Sequence, residues 1–317
     1  MTVSIDDIRA AAKRLDGRIR STPIVEASGE EFGVSGTVTL KLEFLQHSGS
    51  FKGRGAMHHM LANPIAEAGV VAASGGNHGG AVAWAAQELG HAANIFVPTI
   101  SAPVKVERLR SYGATVHQVG NVYAEALAAS TKMVAETGAT AIHAYESPSV
   151  VAGAGTTGLE LVDQFTGLGK AAPDAVLVAC GGGGLAGGVA AALDSHTRVV
   201  ACETTGTQAF AAARQAGSPV PVEVSGIAAD ALGATQIGDL AFELLQQQGA
   251  ESVVVDDDAV RAAQRLMWER FRIITEPSAA VPIAALITGA FRPTENQHTV
   301  VIVCGANTDP GSILPAS

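Results

Sequence analysis

Short β-branched runs alternate with alanine-rich stretches of helical spacing along almost the whole 317-residue chain. No other feature limits the fold as strongly. The runs read as strands are Val38–Leu42, Val70–Ala73, Asn94–Val97, Thr115–Val119, Ala175–Ala179, Arg198–Cys202, Ser252–Val255 and Val300–Val303. Between them lie periodic segments such as Gly79–Leu89, Pro103–Tyr112, Tyr123–Glu136, Leu185–Leu193 and Asp257–Arg272. This pattern predicts an α/β fold of doubly wound type, with mainly parallel sheets and helices on both faces. In such folds ligands sit where strand C-termini meet helix N-termini. Several strands lead straight into Gly/Ser loops there: VVAASGGNHGGA, VLVACGGGGLAGG and VVIVCGANTD.

Composition narrows the partners. The net charge is -10, with 20 Lys+Arg against 30 Asp+Glu and no basic cluster. That argues against nucleic acid or an anionic membrane, though not against a small anionic ligand. Three widely spaced cysteines, Cys180, Cys202 and Cys304, each end an apolar run. They read as buried thiols in a reducing compartment, with no CxxC pair for zinc. The N-terminus reads as an amphipathic helix without a signal-peptide core, and no apolar run is long enough to span a membrane. A soluble, cytoplasmic protein is expected.

The loop Gly181–Gly184 places four glycines between a strand and the helix LAGGVAAAL. Bare amides and a helix N-terminus there make an anion cradle, and phosphate is the expected guest. Gly182-x-Gly184-x-x-Gly187, with Glu203 ending the next strand, also satisfies the dinucleotide pattern, so an NAD(P)-dependent oxidoreductase is a rival reading. That reading leaves Lys52 unexplained. In HSGSFKGRGA, this lysine sits among Gly49, Ser50, Phe51, Gly53 and Gly55, with no neighbouring carboxylate in sequence to pair it. In Ser74-Gly75-Gly76-Asn77-His78, Ser74 is expected to cap the following helix, amides to hold a carboxylate, and Asn77 and His78 to offer side-chain hydrogen bonds. Cys304 ends the last strand beside Gly305. A lysine among glycines, a phosphate cradle and polar strand-end loops together point to pyridoxal 5'-phosphate, whose aldehyde condenses with a lysine amine.

HSGSFKGRGA, SGGNHGGA, AGTTGLEL, GGGGLAGG, EPSAA and CGANTD occur in the order seen in the serine/threonine dehydratase (threonine ammonia-lyase) family. The chain resembles that family, of fold-type II pyridoxal phosphate enzymes, from about Thr22 to Asp309. The resemblance implies a large cofactor-binding domain of residues 1–47 and 150–317 and a small substrate-binding domain of residues 48–149. It implies that Lys52 is the Schiff-base lysine and catalytic base, with Phe51 packed beside the cofactor and Asn77 bonding its ring oxygen. Gly181, Gly182, Gly183, Gly184 and Leu185 would cradle the phosphate, and Cys304 would face the pyridine nitrogen. Ser74, Gly75, Gly76, Asn77 and His78 would bind the substrate. The implied reaction is dehydration and deamination of a β-hydroxy amino acid such as L-threonine or L-serine, in a homodimer.

Several positions depart from the family pattern. Gly75 stands where racemase-like members carry a second serine, which argues against serine racemase. TTGTQAFA after Glu203 lacks the acidic residue of metal-dependent members, so no metal is expected. Gly53 and Gly79-Gly80 replace larger residues and predict a wider pocket, which leaves 3-hydroxyaspartate or a phenylserine-like compound as alternative substrates. The chain ends at Ser317, so no C-terminal regulatory domain is expected.

Overall fold

The computed structural model describes residues 2–313. The strands are β1 (Ile24–Ser28), β2 (Thr37–Lys41), β3 (Val70–Ala73), β4 (Ala93–Val97), β5 (Thr115–Gln118), β6 (Thr140–Ala141), β7 (Ala175–Ala179), β8 (Arg198–Thr204), β9 (Glu251–Val255) and β10 (His298–Ile302). The helices of the first half are α1 (Ile5–Leu15), α2 (Lys52–Ala62), α3 (Asn77–Leu89), α4 (Pro103–Ser111), α5 (Tyr123–Thr137) and α6 (Pro148–Gly167). The second half carries α7 (Gly184–Ala192), α8 (Ala209–Ala216), α9 (Ala229–Leu232), α10 (Asp239–Gln247), α11 (Asp257–Leu266) and α12 (Pro277–Ile287).

The strands form two sheets. A six-stranded sheet runs β1-β2-β10-β7-β8-β9, and a four-stranded sheet runs β5-β4-β3-β6. Among the described residues the β1–β2 strand pair is antiparallel and the other strand pairs are parallel. The central strand β7 is buried on both faces, and its run AVLVA carries no polar residue. Helices cover both faces, as parallel sheets require. In the larger sheet the last strand, β10, lies between β2 and β7, and the crevice beyond such a switch in strand order is where ligands bind. Gly181 follows β7 there, and Cys304 follows β10.

Three elements differ from the sequence-based expectation. β1 is an antiparallel edge strand whose single buried residue, Ala27, leaves no alternating pattern to read. α6 contains several glycines, each costing about 1 kcal/mol in a helix interior. Here close packing requires them: an added Cβ would lie 2.7 Å from Gly188 O at Gly155 and 2.9 Å from Ala192 Cβ at Gly158. The segment Asp257–Arg272 is not one continuous α-helix. α11 ends at Leu266, a π turn covers Met267–Phe271, and Arg272 takes φ 57. Arg272 Nη1 then donates to the carbonyls of Trp268 and Glu269, satisfying groups the helix end leaves free.

A buried ion cluster ties α2 to the larger sheet. Arg54 Nε and Nη2 donate to both oxygens of Glu43, at 2.8 and 2.7 Å. Nη2 also reaches Glu160 Oε2 on α6 at 2.8 Å. Lys41 Nζ, from β2, donates to Glu160 Oε1 at 2.6 Å and to Thr22 O at 2.8 Å. Burial raises the Glu160 carboxyl pKa, but the charges of Arg54 and Lys41 outweigh it and hold the group below the usual range. Lys52 opens α2, two residues before Arg54.

Candidate active site

Main-chain bonds bring Lys52 and Cys304 together. Phe51 N donates to Cys304 O at 3.0 Å, and Ala306 N to Gly49 O at 3.1 Å. An isolated antiparallel bridge joins Ser50 to Gly305 between them. The loop before Lys52 is thus sewn onto the end of β10. Phe51 lies beneath the amine, with Lys52 Nζ 5.1 Å from its ring centroid.

Lys52 Nζ donates to Ala144 O at 2.7 Å. Burial pushes its pKa down to about 8, against smaller opposing pulls from Cys304 and Glu276. At pH 7 about a tenth of such amines are neutral, against roughly one in three thousand for an ordinary lysine. His78 lines the same small cavity as Lys52, Phe51 and Gly184. Its Nε2 meets Ile142 O at 2.9 Å, which makes Nε2 the protonated nitrogen and leaves Nδ1 as acceptor. Burial, then the Lys52 charge, pushes its pKa down to about 3, so it is neutral at pH 7.

The glycine loop fits a phosphate. Among the described residues, the amides of Gly181, Gly182, Gly183, Gly184 and Leu185 have no protein acceptor, although this loop is largely buried. Amides in that state require an anion or water. Gly183 has φ 83 and caps α7. An ideal Cβ would fall 2.5 Å from the Tyr145 ring at Gly182 and 2.6 Å from Ala241 Cβ at Gly183. The buried, easily deprotonated Lys52 amine supplies the other half of the fit, a nucleophile for an aldehyde. Pyridoxal 5'-phosphate therefore suits the donor set: Lys52 would hold its carbonyl carbon and residues 181–185 its phosphate.

Asn77 is the first residue of α3. Its Oδ1 accepts from Asn307 Nδ2 at 2.6 Å, and its Nδ2 donates to Glu276 Oε1 at 2.7 Å. Glu276 also accepts from Ser278 Oγ at 2.6 Å and Asn307 N at 3.1 Å. Burial raises its pKa, against those three hydrogen bonds. Burial, with the nearby Glu276 charge, also pushes the Cys304 thiol up, so it stays neutral.

Two expectations need correction. Ser74 does not cap α3: the N-cap is Gly76, with no side-chain cap, and Ser74 Oγ takes only the Gly76 amide at 3.3 Å. α3 starts at Asn77, so the N-cap position falls on Gly76, which has no side chain to cap with. Nor do the small residues widen the pocket. An added Cβ would meet Ser74 O at 1.9 Å at Gly79, Arg108 Nη2 at 2.6 Å at Gly80, and His47 O at 3.0 Å at Gly53. Neighbouring groups already fill each space. Gly75 and Gly76 are the open positions, with nothing nearer than 3.4 Å.

Sequence reasoning assigned no role to Ala144, Tyr145, Glu276, Asn307 or Arg108. Glu276 and Asn307 stand inside EPSAA and CGANTD, so motif order flagged their neighbourhoods. Ala144 and Tyr145 follow β6, a two-residue strand too short to read, yet a strand end in a parallel sheet is where such residues gather. Glu203 belongs elsewhere. It is buried, its two oxygens take the amides of Phe210 and Ala211 at 2.7 and 2.8 Å, and it caps α8. It offers no free oxygens for a ribose, which removes the support for a dinucleotide.

Comparison with known proteins agrees with this geometry. The family described as "Pyridoxal-phosphate dependent enzyme" matches residues 15–305. L-threonine ammonia-lyase of Thermotoga maritima is 32% identical over 316 residues, covering 98% of this chain and 77% of that protein. Phenylserine dehydratase of Ralstonia pickettii is 34% identical over 316 residues, covering 97% and 95%. The structure of maize serine racemase superposes with a TM-score of 0.90 at 30% identity, covering 99% and 96%.

Proposed function

The chain belongs to the pyridoxal-phosphate dependent enzymes, and on that premise we propose that it is an ammonia-lyase converting a β-hydroxy amino acid to a 2-oxo acid and ammonia. The observation that carries the proposal is a lysine amine, bonded only to Ala144 O among the described residues, that shares a cavity with a loop of unbonded amides. Relatives named L-threonine ammonia-lyase and phenylserine dehydratase support it.

When bound, pyridoxal phosphate supplies a carbonyl that condenses with amines and a ring that takes up electrons from the α-carbon. Residues 181–185 and the α7 N-terminus hold its phosphate. The amides of Gly75 and Asn77, which have no protein acceptor among the described residues, hold the substrate carboxylate. Asn77 is locked between Glu276 and Asn307, so its remaining amide hydrogen would be available to donate to the ring oxygen of a bound cofactor. Lys52, once its amine is free, takes the α-proton at Nζ, and its depressed pKa lets it act near neutral pH. His78 stays neutral and adds no charge against the Lys52 ammonium. The neutral Cys304 thiol does not hold a pyridine nitrogen protonated as a carboxylate would, which favours prompt loss of the β-group. Gly75 leaves the opposite face without a serine base, which disfavours racemisation.

The proposal includes residues 48–149 as a small substrate-binding domain, supported by the four-stranded sheet, whose strands all lie between Val70 and Ala141. It also includes a cytoplasmic homodimer, as the family resemblance implies; light scattering after size exclusion checks the dimer.

The test is the visible absorption of the purified protein before and after L-threonine. A band that changes on addition, with 2-oxobutanoate formed, supports the reading. No band after incubation with pyridoxal phosphate refutes it.

A further inference from the structure

Gly80 follows Asn77 by three residues, so both face the same side of α3. The Arg108 guanidinium, from α4, occupies the space that a side chain at position 80 would take. It therefore lies on the same side of α3 as Asn77, about one turn along the helix. Arg108 Nη2 donates to Ser48 O at 3.4 Å. The same carbonyl accepts Asn307 Nδ2 at 2.9 Å, and that group also donates to Asn77 Oδ1. One shared acceptor thus separates Arg108 from the asparagine pair beside Lys52.

That long bond is the only hydrogen bond Arg108 donates from its side chain among the described residues. No ion pair among them includes it. Asp230, across from Gly76, is held by Lys105 at 2.7 Å. Both oxygens of Glu276 are engaged by Asn77, Ser278 and Asn307. A guanidinium offers five N–H donors in a planar fork shaped for a carboxylate. Half-buried Arg108 has lost part of its water without gaining such a partner. One turn before Gly80, an ideal Cβ at Gly76 meets only Asp230, its carbonyl oxygen at 3.8 Å and its carboxylate Oδ2 at 4.0 Å, and that carboxylate is already paired with Lys105.

We propose that Arg108 is the specificity-determining residue of this site and selects a substrate carrying a second carboxylate on its β-carbon. The inference rests on the elimination reading above and narrows it to β-hydroxy dicarboxylic amino acids. The reaction balances without an oxidant. Lys52 takes the α-proton, the β-hydroxyl leaves as water, and a second water displaces ammonia, so the net products are a 2-oxo dicarboxylate and ammonia. A reaction supplying this substrate hydroxylates, or otherwise places oxygen on, the β-carbon of a dicarboxylic amino acid.

The test compares kcat/KM for 3-hydroxyaspartate and L-threonine in the holoenzyme, in Arg108→Gln and in Arg108→Lys. Malonate affinity is measured in parallel from the shift in cofactor absorption or in melting temperature. Wild type should prefer the dicarboxylate. Arg108→Gln should lower the selectivity ratio and the malonate affinity by about tenfold or more, the size of a lost charge-assisted pair, and Arg108→Lys should restore part of each. Gly80→Ala, which displaces the guanidinium while keeping it, should also lower the ratio. A purely structural role would lower both substrates alike and leave the ratio unchanged, which overturns the proposal. So does a wild-type preference for L-threonine. If neither substrate is converted, the elimination reading fails separately, and unchanged malonate affinity in Arg108→Gln overturns this one.

Discussion

Replacing Arg54 with methionine removes the cation that joins α2 to the larger sheet. Glu43 then keeps a carboxylate of 0% exposure with no ion-paired cation and only the nearby Lys41 charge to offset it, while Glu160, at 19% exposure, still holds Lys41. The variant loses three hydrogen bonds to carboxylates, at 2.7 to 2.8 Å, and one to Thr156 Oγ1 at 3.2 Å. Charge-assisted bonds contribute about 1.5–3 kcal/mol each. Releasing the guanidinium from its own desolvation offsets part of that sum, so the net expected loss is about 3–5 kcal/mol, the usual cost of breaking a buried pair. With a urea m-value of about 3 kcal/mol/M, the midpoint should fall by about 1–1.7 M. The double variant Arg54→Met/Glu43→Gln removes the stranded charge and should recover about half of the loss. The pH dependence has a definite sign. Glu160 is depressed in the folded state, so its contribution is complete above the unfolded carboxyl pKa and is lost as pH falls through the lower folded value. In Arg54→Met that acid-side loss should shrink. A single variant losing under about 1 kcal/mol, or a double variant no more stable than the single, refutes the reasoning.

Three further outcomes follow from the site. The rate at which apoprotein regains its visible band with pyridoxal phosphate should rise with pH and level off above about 8, because the reactive form is the neutral Lys52 amine; a rate still climbing at pH 10 contradicts the depressed pKa. Gly183→Ala should weaken cofactor retention and cost about 1–2 kcal/mol for the left-handed conformation alone, plus displacement of Ala241; unchanged cofactor affinity by dialysis and absorbance would show the cradle misassigned. Cys304→Asp sets a second buried carboxylate beside Glu276 and should slow elimination relative to side reactions; product ratios equal to wild type would show that the thiol does not matter at the ring.

The alternation of strands and helices was readable because parallel strands buried on both faces are nearly pure runs of apolar residues. β7 is the plainest case. What escaped were elements decided by contact. α6 reads poorly because its glycines oppose helix formation until α2 and α7 press against them. β1 lies at an edge and β6 has two residues, so neither builds a pattern. In the site, Lys52, Asn77 and the glycine loop stood out because glycine beside a polar residue is a local signal. Glu276 and Arg108 come from distant segments, and only folding shows that one engages Asn77 and the other fills the gap at Gly80. The small residues at 53, 79 and 80 misled for the same reason: a missing side chain marks a space, but not what occupies it.

Main-chain bonds, from Phe51 to Cys304 and from Ala306 to Gly49, hold the reactive amine against the thiol. Residue replacement cannot remove that attachment, short of proline or a change in loop length. Wall positions such as Gly80 and Arg108 are then free to diverge while the amine stays in register. A lineage built on this frame can exchange one substrate side chain for another through pairs of wall substitutions, with the chemistry kept intact at every intermediate step.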